Sequence, residues 1–158
     1  MLNKLESVVK PADRDELRKV VEFYDNHYPN DSLNWLDVSD ITDMTELFYD
    51  TSFNGDISKW DVSNVTVMAG MFSYSMFDND ISDWDVSNVF DMTGMFEKSQ
   101  FNQDISGWNV SHVKYMSIMF MDSHFNQDIS DWYLYELKEH DDVFDNCPIE
   151  YENMPPEL

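Results

Sequence analysis

The chain has 158 residues and a formal charge of −23, from 32 acidic against nine basic side chains. A charge of that size repels phosphates along the whole molecule, which excludes nucleic acid as a direct ligand and favours basic or neutral partners. The 42% hydrophobic and 15% aromatic content still supports a packed core, which excludes disorder, and a single cysteine, Cys147, excludes an internal disulfide framework.

In chain order, Met1 to Glu6 hold no apolar run of signal-peptide length, and no stretch approaches the roughly 18 apolar residues that span a bilayer. The expectation is a cytoplasmic protein without membrane contact, or one on the extracellular surface if an export segment was removed. Residues 1–29 form the first division, an N-terminal capping helix read over 10–28. Pro11 suits its first turn, Asp13, Asp15 and Glu16 its positive end, and Leu17, Val20, Val21 and Tyr24 one apolar face.

Residues 30–146 repeat a pattern at a constant step of 24, as Val38, Val62, Val86, Val110 and Leu134 and as Phe48, Phe72, Phe96, Phe120 and Phe144. Such a period predicts an α/β solenoid of about five stacked units. Within a unit, Val65, Met68, Met71 and Phe72 fall at helical spacing and predict a short helix. The stretch from Asp56 to Val62 reads as a short parallel strand with Ile57 and Trp60 inward. Residues 147–158 form the third division, a C-terminal tail expected to be loose.

Little-varying columns read as core: Ile57, Ile81, Ile105 and Ile129; Trp60, Trp84, Trp108 and Trp132; Phe53, Phe77, Phe101 and Phe125. The Asp56, Asp80, Asp104, Asp128 column and the Asp37, Asp61, Asp85 column would bring carboxylates one unit apart and so invite calcium. Turn and cap chemistry, in which such side chains accept backbone N–H bonds, is the stronger reading, and no calcium signature is present. His27, His112, His124 and His140 have no zinc spacing, and no nucleophile or phosphate-loop motif occurs. The expectation is a protein that is not an enzyme, with no catalytic, metal or cofactor residues.

The phrase Phe53-Asn54-Gly55-Asp56-Ile57-Ser58-Lys59-Trp60-Asp61-Val62-Ser63-Asn64-Val65-Thr66, with Met71-Phe72, recurs at 77–90 and 101–114. It resembles the repeat of the bacterial surface-protein and Mycoplasma-type lipoprotein family, related to the BspA-like leucine-rich repeats. That resemblance implies a leucine-rich-repeat-like solenoid used for adhesion or protein binding, with no catalytic residues. With few repeats and no secretion or lipid-anchor segment, the expected member is intracellular, encoded by a phage or another mobile element.

Function is sought in the columns that vary between units. Tyr74, Met76, Phe90, Tyr115, Ile118 and Met121 are large and apolar where other units hold small, polar or charged residues. They predict a partner-binding stripe anchored by Phe90 and Tyr115, or else side chains that pack between units. The favoured function is a protein-protein interaction module. The alternatives are an acidic nucleic-acid mimic that inhibits a DNA- or RNA-binding protein and, third, a surface adhesin fragment. A monomer is expected rather than a homodimer.

Overall fold

The structure, a computed structural model, describes residues 9–158. Residues 1–8, on which the reading of the N-terminus and the start of the capping segment rests, lie outside the described residues. Helix α1 runs Arg14–His27, with Asp13 as N-cap accepting the Glu16 N–H at 2.9 Å. The Glu16 carboxylate accepts the Ala12 N–H in return at 2.9 Å, a near-reciprocal cap that starts the helix after Pro11 instead of at it. Leu17 and Val21 are buried against the first repeat unit. Around them Arg14 Nη1 donates to the Thr45 carbonyl at 3.2 Å, Arg18 donates to the Glu46 carbonyl, and Asp25 accepts both the N–H and the hydroxyl of Ser52 at 2.8 Å.

The step of 24 organises the chain beyond α1, but the expected α/β solenoid of short strands and helices, leucine-rich-repeat-like, is not what forms. Among the described residues α1 is the one α-helix, joined by a single 3₁₀ turn at Tyr151–Asn153. Strand-like pairing is reduced to isolated parallel bridges, one joining Val9 to Leu36 and a series joining Asp43, Val67, Asp91, Tyr115 and Glu139 in succession, and there is no sheet among the described residues. Each unit is a string of β-turns.

The supposed strand fails because it is two turns. The Trp60 N–H bonds to the Ile57 carbonyl at 3.1 Å and the Val65 N–H to the Val62 carbonyl at 2.9 Å. Ahead of each turn an aspartate accepts the N–H of the serine two residues on, Asp56 from Ser58 at 2.9 Å and Asp61 from Ser63 at 3.1 Å. The supposed helix fails because two residues in every unit are left-handed. Glu46 and Asp50, Gly70 and Tyr74, Gly94 and Lys98, Ile118 and Asp122, and Asp142 and Asn146 all have φ between 52 and 62°. Such a residue at every fourth position breaks a right-handed helix. Alternate amides then go different ways. The N–H groups of Met71, Ser73 and Ser75 close turns onto Met68, Gly70 and Phe72 at 3.1 to 3.2 Å, whereas those of Met68, Gly70, Phe72 and Tyr74 donate to Asp91, Thr93, Met95 and Glu97 of the next unit at 2.8 to 2.9 Å.

Side chains stack in the same register as these backbone bonds. Phe72 lies 5.2 Å from Phe48 and 5.6 Å from Phe96, with rings parallel within 7°, and Phe120 continues the column 5.6 Å beyond Phe96. The buried indole N–H groups of Trp60, Trp84, Trp108 and Trp132 donate to the carbonyls of Leu33, Ile57, Ile81 and Ile105 in the preceding unit at 3.0 to 3.2 Å, so burial costs no hydrogen bond. A polar ladder runs beside them: Asn54 Oδ1 accepts the Asp78 N–H at 2.9 Å, Asp78 Oδ1 that of Asn102 at 2.8 Å, and Asn102 Oδ1 that of Asn126 at 2.8 Å. Residues 147–158 are packed, not loose. Ile149 is buried in the column of Phe53, Phe77, Phe101 and Phe125, Pro155 is buried, and the Ile129 N–H donates to the Asn153 carbonyl at 2.9 Å.

Candidate interaction surface

The acidic columns are committed to the turns. Asp37, Asp56, Asp80, Asp85, Asp104 and Asp128 each accept the backbone N–H of the serine two residues on, at 2.9 to 3.1 Å. These bonds favour the ionised form and hold all six carboxyls below the usual aspartate range. The serine hydroxyl is the larger cause at Asp37, Asp85 and Asp128, and the serine N–H at Asp56, Asp80 and Asp104. Asn109 does the same task in the fourth unit, accepting the N–H and hydroxyl of Ser111 at 3.2 and 2.8 Å. A recess of about 230 Å³ is lined by Asp104, Ser106, Gln127, Asp128 and Asp131. No group of three or more metal-ligating side chains that could hold an ion occurs among the described residues.

The six residues expected to form the stripe fall into separate settings. Phe90 is 36% exposed and meets half-buried Tyr115 edge-on, with ring centroids 6.4 Å apart. They sit on successive units, each just ahead of its unit's run of left-handed turns, and the N–H groups of Lys114 and Tyr115 both donate to the Phe90 carbonyl, at 2.8 and 3.2 Å. Tyr74 and Met76, 42% and 54% exposed, lie where such a run ends. Tyr74 packs on Tyr49 at 5.6 Å and takes a hydrogen bond from Lys98 at 2.9 Å. Ile118 and Met121 are half-buried. Ile118 has φ 54°, uncommon for a β-branched residue, and a Cβ on Gly94 would meet its Cδ1 at 3.6 Å, so this side chain packs over the glycine of the preceding unit.

Two participants were not legible from single columns. Tyr49 completes the tyrosine pair with Tyr74. Lys98 joins Tyr74 to the acidic side: its Nζ lies 4.9 Å from that ring's centroid, 3.5 Å from Glu97 and 3.9 Å from Asp122, and Asp122 accepts from Asn146 at 3.0 Å. The Tyr74 hydrogen bond, more than the acidic neighbours, holds the Lys98 ammonium above its usual range. Both belong to columns that vary in size and charge, so pairing variable positions 24 apart would have found Lys98 with Tyr74, and pairing them 25 apart would have found Tyr49. Cys147 is half-buried with its Sγ 3.1 Å from the Phe125 carbonyl, and burial pushes its thiol up, away from thiolate reactivity. No helix among the described residues is long and apolar enough to cross a membrane.

The class these features define is a repeat protein, acidic outside and aromatic inside, whose 24-residue units register through backbone and ladder hydrogen bonds. The family described as "Mycoplasma protein of unknown function, DUF285" matches residues 16–100 and again 73–154, and the chain belongs to that family. No curated protein and no solved structure matches it.

Proposed function

We propose that the chain is a protein-interaction module that binds a basic or neutral protein partner through the variable columns of its acidic surface, with Phe90 and Tyr115 as anchors. The exposed Phe90 held edge-on against Tyr115, on units whose inner columns barely vary, supports this reading most. Aromatic side chains pre-ordered by a neighbour lose little entropy on binding and make the strongest anchors. Acidic turns around them favour the approach of basic partners. Closer kinship to BspA-type bacterial surface repeats is part of the proposal and accords with an adhesive or protein-binding role.

The test is to capture a partner with the tagged chain, with nuclease present, and to titrate it with wild type, Phe90→Ala and Tyr115→Ala. The expected result is a loss of affinity of at least about tenfold, equivalent to about 1.4 kcal/mol, with the melting temperature kept. Unchanged affinity with lost thermal stability would show that the pair only packs between units. Competition by DNA and a steep fall of affinity with salt would turn the assignment to a nucleic-acid mimic.

A further inference from the structure

We propose that the C-terminal end of the stack is a docking site for a basic polypeptide segment, which binds as one more layer on a row of four backbone amides. This surface is separate from Phe90 and Tyr115 and does not rest on their role.

Along the run of left-handed turns four hydrogen bonds per unit point to the next unit, while at its start bonds such as those from the Phe90 N–H to the Thr66 carbonyl and from the Lys114 N–H to the Phe90 carbonyl point back. Met44, Glu46, Phe48 and Asp50 donate their N–H groups to Val67, Ala69, Met71 and Ser73 at 2.8 to 3.0 Å. The same set recurs down to Met116, Ile118, Phe120 and Asp122, which donate to Glu139, Asp141, Val143 and Asp145 at 2.8 to 2.9 Å. In the last unit the corresponding donors are the N–H groups of His140, Asp142, Phe144 and Asn146. They have no acceptor among the described residues. The tail finishes only the other half of this end, through Ile149 and the bond from Ile129 to Asn153. Phe144 accordingly stacks on Phe120 at 5.7 Å but stays half-buried, whereas Phe48, Phe72, Phe96 and Phe120 are buried completely.

The chemistry of the row selects its occupant. Two copies meeting tail to tail on this row would set its four donors against the same four donors. Head-to-tail stacking is blocked because α1 covers the first unit, with Arg14 and Arg18 on the carbonyls of Thr45 and Glu46. Exposed Glu139, Asp141, Asp142 and Asp145 border the row and repel another acidic unit, but attract lysine and arginine. A segment that supplies carbonyls at alternate residues fits by strand addition. To cover Phe144 it would repeat the apolar positions of the chain's own layers, as in Met92, Met95 and Phe96 around the left-handed Gly94.

The probe is a synthetic peptide of residues 91–98 carrying Asp91→Lys and Glu97→Lys, added to the full chain and followed by amide hydrogen exchange in NMR. Exchange should slow about tenfold or more at His140, Asp142, Phe144 and Asn146. Asp145, whose N–H already bonds to the Asp142 carbonyl, should change little. The unaltered acidic peptide should bind more weakly, and His140→Pro, which removes one donor at an exposed position, should weaken the basic peptide several-fold at unchanged melting temperature. No added protection at millimolar peptide overturns the proposal. So does protection that grows with protein concentration alone, which would assign the end to a second copy, or a response confined to Phe90 and Tyr115.

Discussion

The first and last units carry the same columns yet are closed differently. At the first, α1 buries Leu17 and Val21 on the stack, and Arg14 donates to the Thr45 carbonyl, whose counterpart Ala69 accepts from the unit before it, while Arg18 donates to the Glu46 carbonyl beside it. At the last, a short tail covers one half, and the other keeps amides with no acceptor among the described residues and a phenylalanine packed on one side. A turn-built stack therefore needs something that imitates a missing neighbour, and cooperativity should weaken where that imitation is partial. Phe96→Ala empties a site between two stacked rings and should cost about 3 to 5 kcal/mol. Phe144→Ala removes a ring with one free face and should cost about 1 to 2 kcal/mol. Urea unfolding of both variants measures the contrast, and equal losses would mean that the last unit is as well buried as the middle ones.

The covered end can be tested through a glycine. Gly55 stands in a column otherwise filled by Asn79, Gln103 and Gln127, whose side-chain amides donate to the Asn54, Asp78 and Asn102 carbonyls of the preceding unit at 2.6 to 3.1 Å. No such unit precedes the first, and the segment after α1 passes there, with the Asn54 N–H on the Pro29 carbonyl at 2.6 Å. A Cβ on Gly55 would lie 2.0 Å from the Asp31 carbonyl oxygen and 2.6 Å from the Phe53 ring. Gly55→Ala should therefore cost about 1 to 3 kcal/mol by forcing that segment off the stack. Gly107, in a different column, has nothing within 4 Å of such a Cβ, and Gly107→Ala should stabilise by about 0.4 to 1 kcal/mol. Thermal melts of the pair read the difference directly.

The columns were legible where residue type alone decides the outcome. Ile57, Trp60, Phe72 and their counterparts in the second to fourth units had to be inside, and they are. Element type was not legible, because an apolar spacing of three, three and one fits a chain of β-turns as well as it fits a helix. Two signals pointed to turns: serine two residues after each acceptor in the Asp56 and Asp61 columns, and glycine at both Gly70 and Gly94, where φ is positive. The site is less legible for a related reason. A large apolar residue in a variable column is outside at Met76 but packed over a glycine at Ile118, and only the direction of the backbone separates the two.

The smallest expected effect concerns a turn far from either end. Asp85 and Asn109 occupy the same column and accept the same serine N–H, at 3.1 and 3.2 Å, so the turn requires an acceptor but not a charge. Asp85→Asn should leave the urea midpoint at pH 7 nearly unchanged, since the hydrogen bond survives and one charge of a strongly acidic chain is removed. The pH dependence should nevertheless differ. Ser87 lowers the folded-state carboxyl of Asp85 below its unfolded value, so its ionised form adds stability that is fully present above the unfolded value of about 3.9. That stability is lost as pH falls through the lower, folded value. The variant lacks this titration and should lose less stability than wild type between pH 5 and pH 2, both bounds being roughly where linkage places the transition. Parallel acid limbs for the two proteins would show that the turn derives nothing from the charge, and that the aspartates of these columns owe their place to the acceptor oxygen alone.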